Sequence, residues 1–578
     1  MALSNKEVAA VLTQVGQLLE IRGENPFKAR AYYAAARVVE QLGADIAKIV
    51  ADGGLGELPG FGSGLTEKVS ELVTTGHMSY MAEIMEGLPP GILTLLSIPD
   101  VGPRKIKLFY DELGVGSITQ LETAAKAGKL AALPGMGEKS QAKILDGIRQ
   151  YRSHQGRWLI SQALPLAERI LSAVRKFKGV RRASLGGSIR RRRETIGDVD
   201  ILVSAADGAG VVKAFTELEG VRRVLAAGDT KGSAVFAPGI QVDVRVVEEA
   251  SYAAAQHYFT GSKEHNVRMR QEAKDRGWKL NEYGLFDGDN QLSAKDEEAL
   301  FAHFGMDWVP PELRENTGEV DAASEHRLPD LVETADIKGL VHIHTKWTDG
   351  KLSIEEVAKE TKKRGFSYFV LADHSKAVGV ANGLTEERAR SQWDEVAEVN
   401  GAVKRLRIFR SIEVDIKGDG SLDFPDQLLA GFDCCIGAVH SGFGAEREKM
   451  TARIIRGISN PYVDVLAHPS GRLLLEREPY AVDMEAVLAA CLENEVAVEI
   501  NAHPLRLDLD WRYVRTAKEM GVKFVISLDA HDPEDFDYLD YGVSVARKGW
   551  LEKADVLNCL SAAAFAKRLA ERRKRRLG

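Results

Sequence analysis

Three aspartates in two apolar segments carry the first chemical signal in this sequence. Asp198 and Asp200 flank a single valine, so on a β-strand both carboxylates would point to the same face. Asp243 lies between two valines in a later run that also predicts a strand. Three converging carboxylates can hold two Mg²⁺ or Mn²⁺ ions about 4 Å apart, which activate a hydroxyl and bind a triphosphate. A lone Asp-x-Asp is common in exposed turns, and the third aspartate favours catalysis over that alternative.

The segment GGSIRR at residues 186–191 precedes the aspartate pair. Gly187 and Ser188 would bring a backbone amide and a hydroxyl to phosphate oxygens, and Arg190 and Arg191 would add positive charge. The combination predicts nucleotidyl transfer. GGS and Asp-x-Asp are shared by nucleotidyltransferases with different substrates, so these residues alone leave the substrate open.

A second group of polar residues follows predicted strands in the C-terminal half. Seven of the 13 histidines lie after residue 340. Six of these and three acidic residues occupy similar positions after apolar runs: His342, His344, Asp349, His374, Glu413, His440, His468, Asp529 and His531. Two imidazoles at i and i+2 project to one side of a strand, and nitrogen and oxygen ligands without thiolates suit Mn²⁺, Zn²⁺ or iron ions. His503 is left outside this set because its motif, NAHPL, does not match.

A short pattern of an apolar residue, proline and glycine occurs three times in the N-terminal part. It covers residues 58–62 (LPGFG), 98–102 (IPDVG) and 133–137 (LPGMG), each between helical stretches and followed by a lysine. Glycine permits a close approach to a surface, and amides at the next helix start can bind a phosphate oxygen. The pattern resembles the helix-hairpin-helix, which grips DNA backbone, although a single copy could be a plain turn. We expect DNA contacts at Gly60, Gly62, Gly102, Gly135 and Gly137.

The segment YFTGS at residues 258–262, followed by Asn266, Arg268 and Arg270, completes a further resemblance. Residues 1–318 resemble family X DNA polymerases, the group that contains polymerase beta. The resemblance implies a DNA-directed DNA polymerase that fills short gaps in DNA repair, with Asp198, Asp200 and Asp243 as its catalytic carboxylates. It implies nucleotide contacts at Gly187, Ser188, Arg191, Tyr258, Phe259, Gly261 and Asn266, a template-side contact at Arg270, and a conformational switch at Arg245 and Glu282.

Three lysines fall at positions that have distinct roles in that family. Lys263 stands where polymerase beta has an acidic residue, and it could hold the nucleotide or simply face solvent. The N-terminal region resembles the family's lyase domain, which removes a 5′-deoxyribose phosphate through a lysine Schiff base. Lys68 falls at the position of the nucleophile and Lys28 at that of a phosphate-binding lysine. Because Phe27 and other residues replace basic groups of that pocket, we expect DNA binding with little lyase activity.

The histidine-rich region resembles the polymerase and histidinol phosphatase (PHP) domain over residues 337–550. The resemblance implies a distorted seven-stranded α/β barrel that binds three Mn²⁺, Zn²⁺ or iron ions and hydrolyses DNA 3′ ends as a 3′→5′ exonuclease. The implied ligand sets are His342, His344, Glu413 and Asp529 for one ion; Glu413, His440 and His468 for a second; and Asp349, His374 and His531 for a third.

Hydrophobic periodicity predicts the elements that position these residues. Helical spacing dominates the first 150 residues, strands and helices mix from about residue 180, and seven strand–helix units follow residue 337. The expected class is multidomain α/β with a helical helix-hairpin-helix region, a mixed α+β palm and a C-terminal barrel. The expected boundaries are 1–90 (lyase-like), 91–153 (helix-hairpin-helix), 154–250 (palm), 251–318 (nucleotide selection), 319–336 (linker) and 337–578 (PHP). The basic end, KRLAERRKRRLG, predicts a helix that frays.

Composition narrows the class of protein and its partners. The chain has 578 residues, 44% of them apolar, and four cysteines with no CxxC pair, which excludes a disulfide framework and a thiolate zinc finger. No stretch approaches the roughly 18 apolar residues of a membrane span. The net charge is −7, but residues 101–200 carry 20 basic and 9 acidic side chains, which suits a nucleic-acid partner and a solvated basic face equally. We expect a cytoplasmic (nucleoid) monomer that binds gapped or nicked double-stranded DNA and dNTPs.

Three alternatives to a polymerase joined to a nuclease follow from the same residues. The first is a nucleotidyltransferase with another substrate, which the hairpin repeats and YFTGS disfavour. The second is a polymerase whose PHP region is a structural or DNA-docking module without strong nuclease activity. The third is a nuclease whose palm only positions DNA, and the three intact palm aspartates oppose it.

Overall fold

The computed structural model describes residues 5–40, 42, 46–89, 91–98, 101–154, 156–477 and 479–578. Pro99 and Asp100 of the second predicted hairpin lie outside the described residues. The chain divides into two compact units, residues 1–156 and 157–578. The first is helical and the second mixes helices with sheets, which confirms the α/β class and the helical N-terminal region. Among the described residues, no helix has the length and apolar character needed to cross a membrane.

The N-terminal unit packs short helices around one apolar core. Glycine and proline separate the helices, since neither residue continues a helix well. Val15, Leu18 and Leu19 on one face of the first helix are fully buried, as its helical spacing predicts. The helices are α1 (Asn5–Arg22), α2 (Pro26–Glu40), α3 (Ile46–Ala51), α4 (Ser63–Thr75), α5 (Ser79–Met85), α6 (Pro103–Leu113), α7 (Ile118–Lys126) and α8 (Glu138–His154).

The palm is built around a five-stranded sheet. Its elements are β1 (Trp158–Leu159), α9 (Ile160–Val174), β2 (Val180–Leu185), α10 (Gly187–Arg190), β3 (Thr195–Ile196), β4 (Asp198–Ala205), α11 (Gly208–Thr216), β5 (Val221–Ala227), β6 (Lys231–Phe236) and β7 (Ile240–Val247). The strand order is β2-β4-β7-β6-β5, in which β4 and β7 are parallel and the other neighbours antiparallel. The two strands that carry the aspartates are therefore adjacent and central.

A smaller subdomain follows the palm. It contains α12 (Tyr252–Thr260), α13 (Lys263–Asp275), α14 (Glu297–His303), α15 (Glu319–Ser324) and the strands β8 (Trp278–Asn281), β9 (Gly284–Asp287) and β10 (Asn290–Leu292), which form an antiparallel sheet in the order β10-β9-β8. Its core includes Leu300, Phe301 and Leu313. These helices carry the YFTGS segment and the residues that follow it.

The expected linker at residues 319–336 is folded against its neighbours. Residues 319–324 form α15, whose first residue, Glu319, is fully buried with His265 Nδ1 at 2.7 Å. Farther along, Leu331 forms an antiparallel bridge with Glu552. The polar composition of the segment predicts a linker, but its first carboxylate, Glu319, is used in a buried contact that local composition does not show.

The histidine-rich region alternates parallel strands with helices. Its strands are β11 (Gly339–Ile343), β12 (Tyr368–Leu371), β13 (Arg407–Phe409), β14 (Ser411–Asp415), β15 (Cys434–Ala438), β16 (Val465–Leu466), β17 (Ala497–Asn501) and β18 (Phe524–Ser527). Its helices are α16 (Ile354–Lys363), α17 (Glu386–Ala402), α18 (Asp426–Leu429), α19 (Arg447–Ile458), α20 (Met484–Glu493), α21 (Trp511–Met520), α22 (Leu539–Lys548) and α23 (Ala562–Leu577).

These strands form a three-stranded sheet, β11-β12-β13, and a five-stranded sheet, β14 to β18, with every pair parallel. Only Arg410 separates β13 from β14 along the chain. After β18, the amide of Leu528 donates to the Val341 carbonyl at 3.0 Å, and the His344 amide donates to Ala530 at 2.9 Å. Backbone hydrogen bonds thus connect the last strand region to the first.

The basic C-terminal helix packs onto this region, contrary to the expected fraying. Arg572 is 3% exposed and lies 2.9 Å from Asp464, and Arg573 reaches the other oxygen of the same carboxylate at 3.0 Å. Phe565 and Leu569 on the same helix are buried. Two of the arginines near the C-terminus therefore form ion pairs that hold the helix in place.

Candidate functional sites

The palm sheet brings the three predicted aspartates to one edge. Asp200 and Asp243 are direct neighbours in the parallel register of β4 and β7, and Asp198 lies two residues before Asp200. Ser233 Oγ donates a hydrogen bond to Asp243 Oδ1 at 2.6 Å, and Lys231 Nζ lies 3.4 Å from its other oxygen. A cleft beside these carboxylates is lined by Asp200, Lys231, Asp243, Arg245 and Phe259, among others.

Burial and neighbouring negative charges disfavour the ionised forms of Asp198 and Asp200 when no counter-ion is bound. Burial, with the negative charges of Asp198 and Asp243, raises the pKa of Asp200 to about 7. Burial and Asp243 also raise the pKa of Asp198. A divalent cation would stabilise the charged forms, so the residues fit a metal site. Among the described residues, groups of three or more histidine, cysteine or acidic side chains with ligand atoms within 4.8 Å of one another occur only in the histidine-rich region. The three palm carboxylates are therefore spaced more widely than the PHP ligands.

The GGS turn approaches the aspartates too closely for a side chain. Gly187 has a φ of 58°, and a Cβ atom there would lie 2.2 Å from Asp200 Oδ2. The Gly186 amide donates to the Asp200 carbonyl at 2.8 Å. A Cβ on Gly186 would also lie 3.3 Å from the Phe259 carbonyl oxygen. The GGS turn, the aspartate pair and the YFTGS segment therefore meet in one place, with Ser188 half-buried beside them.

The predicted nucleotide-pocket residues lie where α12 ends and α13 begins. The rings of Tyr258 and Phe259 meet edge to face with centroids 5.2 Å apart. Asn266 Nδ2 donates to the Tyr258 carbonyl at 2.7 Å, which ties the second helix to the end of the first. Gly261 turns the chain between them with a φ of 66°. Lys263 is exposed at the start of α13.

The residues predicted for the template side and for the conformational switch lie around this pocket. Arg270 is exposed on α13, and Glu282 is half-buried in the turn after β8. The Arg245 guanidinium lies 5.3 Å from the centroid of the Phe259 ring. Arg245 is therefore the one of the three that directly contacts the YFTGS segment.

The two arginines of GGSIRR have different surroundings. Arg190 is 17% exposed and forms two hydrogen bonds to the Glu297 carboxylate, at 2.5 and 3.1 Å. Its charge is thus balanced inside the protein, contrary to the expectation that it adds charge for phosphate. Arg191 donates from Nη1 to the Thr260 carbonyl at 2.5 Å and from Nε to Glu315 at 3.2 Å. These two bonds hold its guanidinium along the YFTGS segment.

All nine predicted PHP ligands meet near the C-terminal ends of the parallel strands, with His342 and Glu413 inside β11 and β14. Their ligand atoms form four overlapping groups, each within 4.8 Å: His344, Asp349, His374 and His531; His342, Glu413 and His468; His342, His344 and Asp529; and His374, Glu413 and His440. Shared members suit a metal cluster. These groups differ from the implied sets in three ways: His374 also joins Glu413 and His440, His344 also joins Asp349, His374 and His531, and His342 joins Glu413 and His468. His374 Nδ1 is 2.8 Å from Glu413 Oε2.

Several buried ligand atoms of this cluster lack a hydrogen-bond partner. They are Nε2 of His342 and both ring nitrogens of His344; His374 Nδ1 and Glu413 Oε2 lie 2.8 Å apart but are not aligned for a hydrogen bond. Each unsatisfied buried polar group costs about 1–3 kcal/mol, and bound metal ions would remove that cost. The donor set therefore fits a cluster of ions that prefer nitrogen and oxygen ligands.

Nearby carboxylates keep several of these imidazoles protonated when no cation competes. Burial opposes the charged form of His374, but Glu413 and Asp349 outweigh it and raise its pKa to about 10. Burial likewise opposes charge on His440, while Glu413 and Asp415 raise its pKa to about 9. Metal ions compete with these protons for the same nitrogen lone pairs.

Three carboxylates and one arginine that sequence reasoning missed support the ligands. Glu499 is fully buried and lies 2.5 Å from His342 Nδ1, which turns Nε2 toward the cluster. Asp415 lies 3.1 Å from His440 Nδ1, and Arg506 Nε lies 2.9 Å from Asp529. Asp373 accepts bonds from Thr345 and Thr348 beneath the same loops. The available signal was an acidic residue within an apolar strand, as in VAVEINA and SIEVD.

The three predicted hairpins share one local geometry. In each, the residue three positions after the leading apolar residue donates a backbone bond to it: Phe61 to Leu58 at 3.1 Å, Val101 to Ile98 at 3.1 Å and Met136 to Leu133 at 3.0 Å. Gly62 and Gly102 cap the helices that follow. Apart from the adjoining residues of the chain, no atom of the described residues lies within 4 Å of a Cβ built on Gly60, Gly62, Gly102, Gly135 or Gly137. These turns therefore present backbone to open space.

The two lysines considered for lyase chemistry face the same aromatic ring. Lys68 Nζ lies 4.3 Å and Lys28 Nζ 5.1 Å from the centroid of Tyr80. Lys28 also pairs with Glu24 at 3.0 Å. Phe27, at the start of the same helix, is 74% exposed. The pocket is therefore part aromatic, as the substitutions in the sequence indicate.

Four known family models match separate segments of the chain. The families described as "Helix-hairpin-helix domain" and "SAM-like Helix-hairpin-helix tandem" match residues 3–78 and 92–150. "DNA polymerase beta thumb" matches residues 255–315, and "PHP domain" matches residues 341–503. The hairpins, the YFTGS segment and seven of the nine PHP ligands lie within these matches, whereas GGSIRR, the palm aspartates, Asp529 and His531 lie outside them.

Individual relatives cover the same regions. The chain is 36% identical over 563 residues to the "DNA polymerase/3′-5′ exonuclease PolX" of Bacillus subtilis (strain 168), covering 97% of this chain and 98% of that protein. A "probable phosphatase" of Thermoanaerobacter sp. (strain X514) is 28% identical over 38% of this chain and 88% of its own. "DNA polymerase lambda" of Arabidopsis thaliana is 25% identical over 54% of this chain and 62% of its own.

Proposed function

This chain belongs to the PolX family of DNA polymerase/3′-5′ exonucleases, and from that membership we propose that it fills short gaps in DNA and trims DNA 3′ ends. The polymerase activity is supported by the convergence of the GGS turn, the paired Asp200 and Asp243 and the YFTGS segment. The nine converging PHP ligands carry the nuclease.

In the palm, Asp198, Asp200 and Asp243 would hold two Mg²⁺ or Mn²⁺ ions, which supply charge neutralisation and activate the primer 3′-hydroxyl. The chain's own residues position the nucleotide. Gly187 and Ser188 present an amide and a hydroxyl to the triphosphate, and Arg191 presents its guanidinium. Tyr258, Phe259, Gly261 and Asn266 border the sugar and base, while Lys263 and Arg270 face the incoming nucleotide and the template.

In the PHP region, the nine ligands would hold three Mn²⁺, Zn²⁺ or iron ions, which supply Lewis acidity and activated water for phosphodiester hydrolysis. Glu499 and Asp415 orient His342 and His440 by hydrogen bonding to Nδ1. Arg506, beside Asp529, can neutralise charge at the scissile phosphate. The strands would form the distorted seven-stranded barrel, with β13 and β14 counted as one strand broken at Arg410.

The remaining assignments extend this proposal. The domains are residues 1–90, 91–153, 154–250, 251–318 and 337–578, joined by the packed segment 319–336. Gapped or nicked double-stranded DNA and dNTPs are the substrates, bound by a monomer at the nucleoid in the cytoplasm. The hairpin glycines contact the DNA backbone on both sides of a gap. Lyase activity through Lys68 is weak, because Tyr80 and Phe27 stand where the pocket would need cations.

The test uses a one-nucleotide gap with a 5′-phosphate and a single-stranded 3′ end, each incubated with Mn²⁺. We expect Asp243→Ala to abolish nucleotide addition and to retain nuclease activity, because the two sites share no residue. We expect His440→Ala to show the reverse, since misplacement of about 1 Å can cost about 100-fold in rate.

Two outcomes would contradict the proposal. Substantial gap filling by Asp243→Ala would remove the three-carboxylate assignment. A wild type that fills gaps but releases no nucleotide from any 3′ end would make the PHP region a structural or DNA-docking module. That alternative is disfavoured because a scaffold has no need for buried imidazoles without hydrogen-bond partners.

A further inference from the structure

A short junction lies between the nucleotide pocket and the PHP helix α22. On the pocket side, the Ser262 amide donates to the Arg314 carbonyl at 2.9 Å, and Glu319 pairs with His265. On the PHP side, Arg547 Nε lies 2.9 Å from Glu312. Residues 312–319 therefore contact both the segment that borders the nucleotide and the helix that follows the last PHP ligands.

Lys548, the last residue of α22, brings an enclosed positive charge to this junction. Its side chain is fully buried. Its ammonium donates to the Arg191 carbonyl at 3.0 Å, the Glu312 carbonyl at 3.4 Å and the Glu315 carboxylate at 2.9 Å. Three acceptors match the three donors of an ammonium group, so the group is fully satisfied. The ring of Trp511, 5.0 Å away, covers it further.

Glu315 relays this contact to the side chain of Arg191. One oxygen, Oε1, accepts from both Lys548 Nζ and Arg191 Nε, the latter at 3.2 Å. The other oxygen lies 3.5 Å from Arg193. Lys548 therefore contacts Arg191 twice, directly at the backbone carbonyl and through Glu315 at the guanidinium. Removing the ammonium would leave Glu315 with excess negative charge that draws Arg191 toward itself.

We propose that Lys548 and Glu315 are positioning residues for nucleotide addition, through which the PHP region holds Arg191 against the dNTP triphosphate. The inference rests on the proposed function, which places Arg191 on the triphosphate. Its consequence is that a residue of the PHP region, remote in sequence from the palm and outside the metal ligands, sets the affinity of the polymerase for dNTP. If the ion pair were only structural, its removal would lower the stability of the protein without a specific effect on the KM for dNTP.

The experiment measures the KM for dNTP and the kcat on a one-nucleotide gap for the full chain and five variants. Lys548→Met should raise the KM about tenfold with a smaller change in kcat, because it removes charge-assisted bonds that fix Arg191. Glu315→Gln, which keeps the side-chain shape, should act in the same direction. Arg547→Met, which breaks the neighbouring pair with Glu312, is the matched control and should leave the KM within about twofold.

The decisive comparison uses Arg191→Ala as background. If Lys548 acts through Arg191, adding Lys548→Met to Arg191→Ala should raise the KM no further. Equal fold-changes in the two backgrounds would overturn the proposal, as would an unchanged KM in a folded Lys548→Met. If Lys548→Met does not fold, Glu315→Gln decides in the same way. A wild type that adds no nucleotide would instead refute the proposed function, so the two failures are distinguishable.

Discussion

Glu297 connects the GGSIRR segment to the subdomain behind it, and its charge should be essential to stability. Its side chain is 3% exposed, with Arg190 at 2.5 Å and the fully buried Arg314 at 2.6 Å. Burial would raise the pKa of Glu297, but these two guanidiniums outweigh it and hold the pKa far below its ordinary value. One carboxylate is therefore the shared partner of two enclosed cations at neutral pH.

Glu297→Gln keeps the shape of the side chain but removes its negative charge. Breaking a buried pair by neutralising one partner typically costs about 3–5 kcal/mol, since the other charge stays buried. The unit that contains it spans residues 157–578. With an unfolding entropy of about 2 cal/mol/K per residue, each kcal/mol shifts the Tm of such a unit by about 1 °C. We therefore expect the Tm to fall by roughly 3–5 °C if the unit unfolds cooperatively.

The pH dependence has a definite sign. The pKa of Glu297 is lower in the folded state than in the unfolded chain, so its stabilisation is fully present above the ordinary glutamate pKa of about 4.3. It is lost as the pH falls below that value. The Tm difference between the wild type and Glu297→Gln should therefore be full at pH 7 and shrink as the pH is lowered from about 5 toward 3.

Calorimetry at several pH values measures these differences, with Glu298→Gln as the matched control. Glu298 is exposed on the same turn of α14, so its replacement should change the Tm by less than about 1 °C. Gap filling should also fall in Glu297→Gln, because Arg190 belongs to the turn beside the aspartates. A Tm for Glu297→Gln that equals the control's at pH 7 would refute the reasoning.

Three further predictions concern the other sites. Glu499→Gln should lower exonuclease activity about 10–100-fold while gap filling survives, because it loosens His342; equal loss of both activities would indicate general destabilisation instead. Valine at both Gly60 and Gly62 should weaken binding to gapped DNA in a titration without changing sequence preference, and unchanged binding by the folded variant would reduce the first hairpin to a turn. Borohydride trapping on a 5′-deoxyribose phosphate substrate should give little product, and strong trapping that Lys68→Ala removes would show that the aromatic pocket supports lyase chemistry.

The sequence alone determined the features that depend on local periodicity. Two aspartates at i and i+2, with a third on another apolar run, predicted carboxylates on a common sheet edge, and the register of Asp200 with Asp243 agrees. The helix-hairpin-helix region was predicted from a repeated motif, and the PHP region was predicted from histidines and acidic residues after apolar runs. Family matches confirm both regions. Strand alternation and helix periodicity are short-range properties, so they survive without knowledge of the rest of the fold.

Even local patterns were modified by tertiary contacts. The pair His342 and His344 was expected on a regular strand, but the register shifts between Leu340 and Ile343, and His342 has a φ of 65°. The rings still lie 5.2 Å apart. A left-handed conformation is costly for a histidine, and the surrounding contacts, including Glu499, maintain it. Strand periodicity therefore predicted the right pair of histidines, although the backbone between them is not a regular strand.

Only the tertiary structure decided which charges are available to ligands. The sequence predicted that Arg190 adds charge for phosphate and that the C-terminal helix frays. In the structure, Arg190 pairs with Glu297, and Arg572 of the C-terminal helix pairs with Asp464. The sequence also gave no indication of Lys548, whose partners Arg191 and Glu315 lie 357 and 233 residues away. The cost of burying a charge is met by partners that the fold brings from distant segments, and no local pattern records which partners those are.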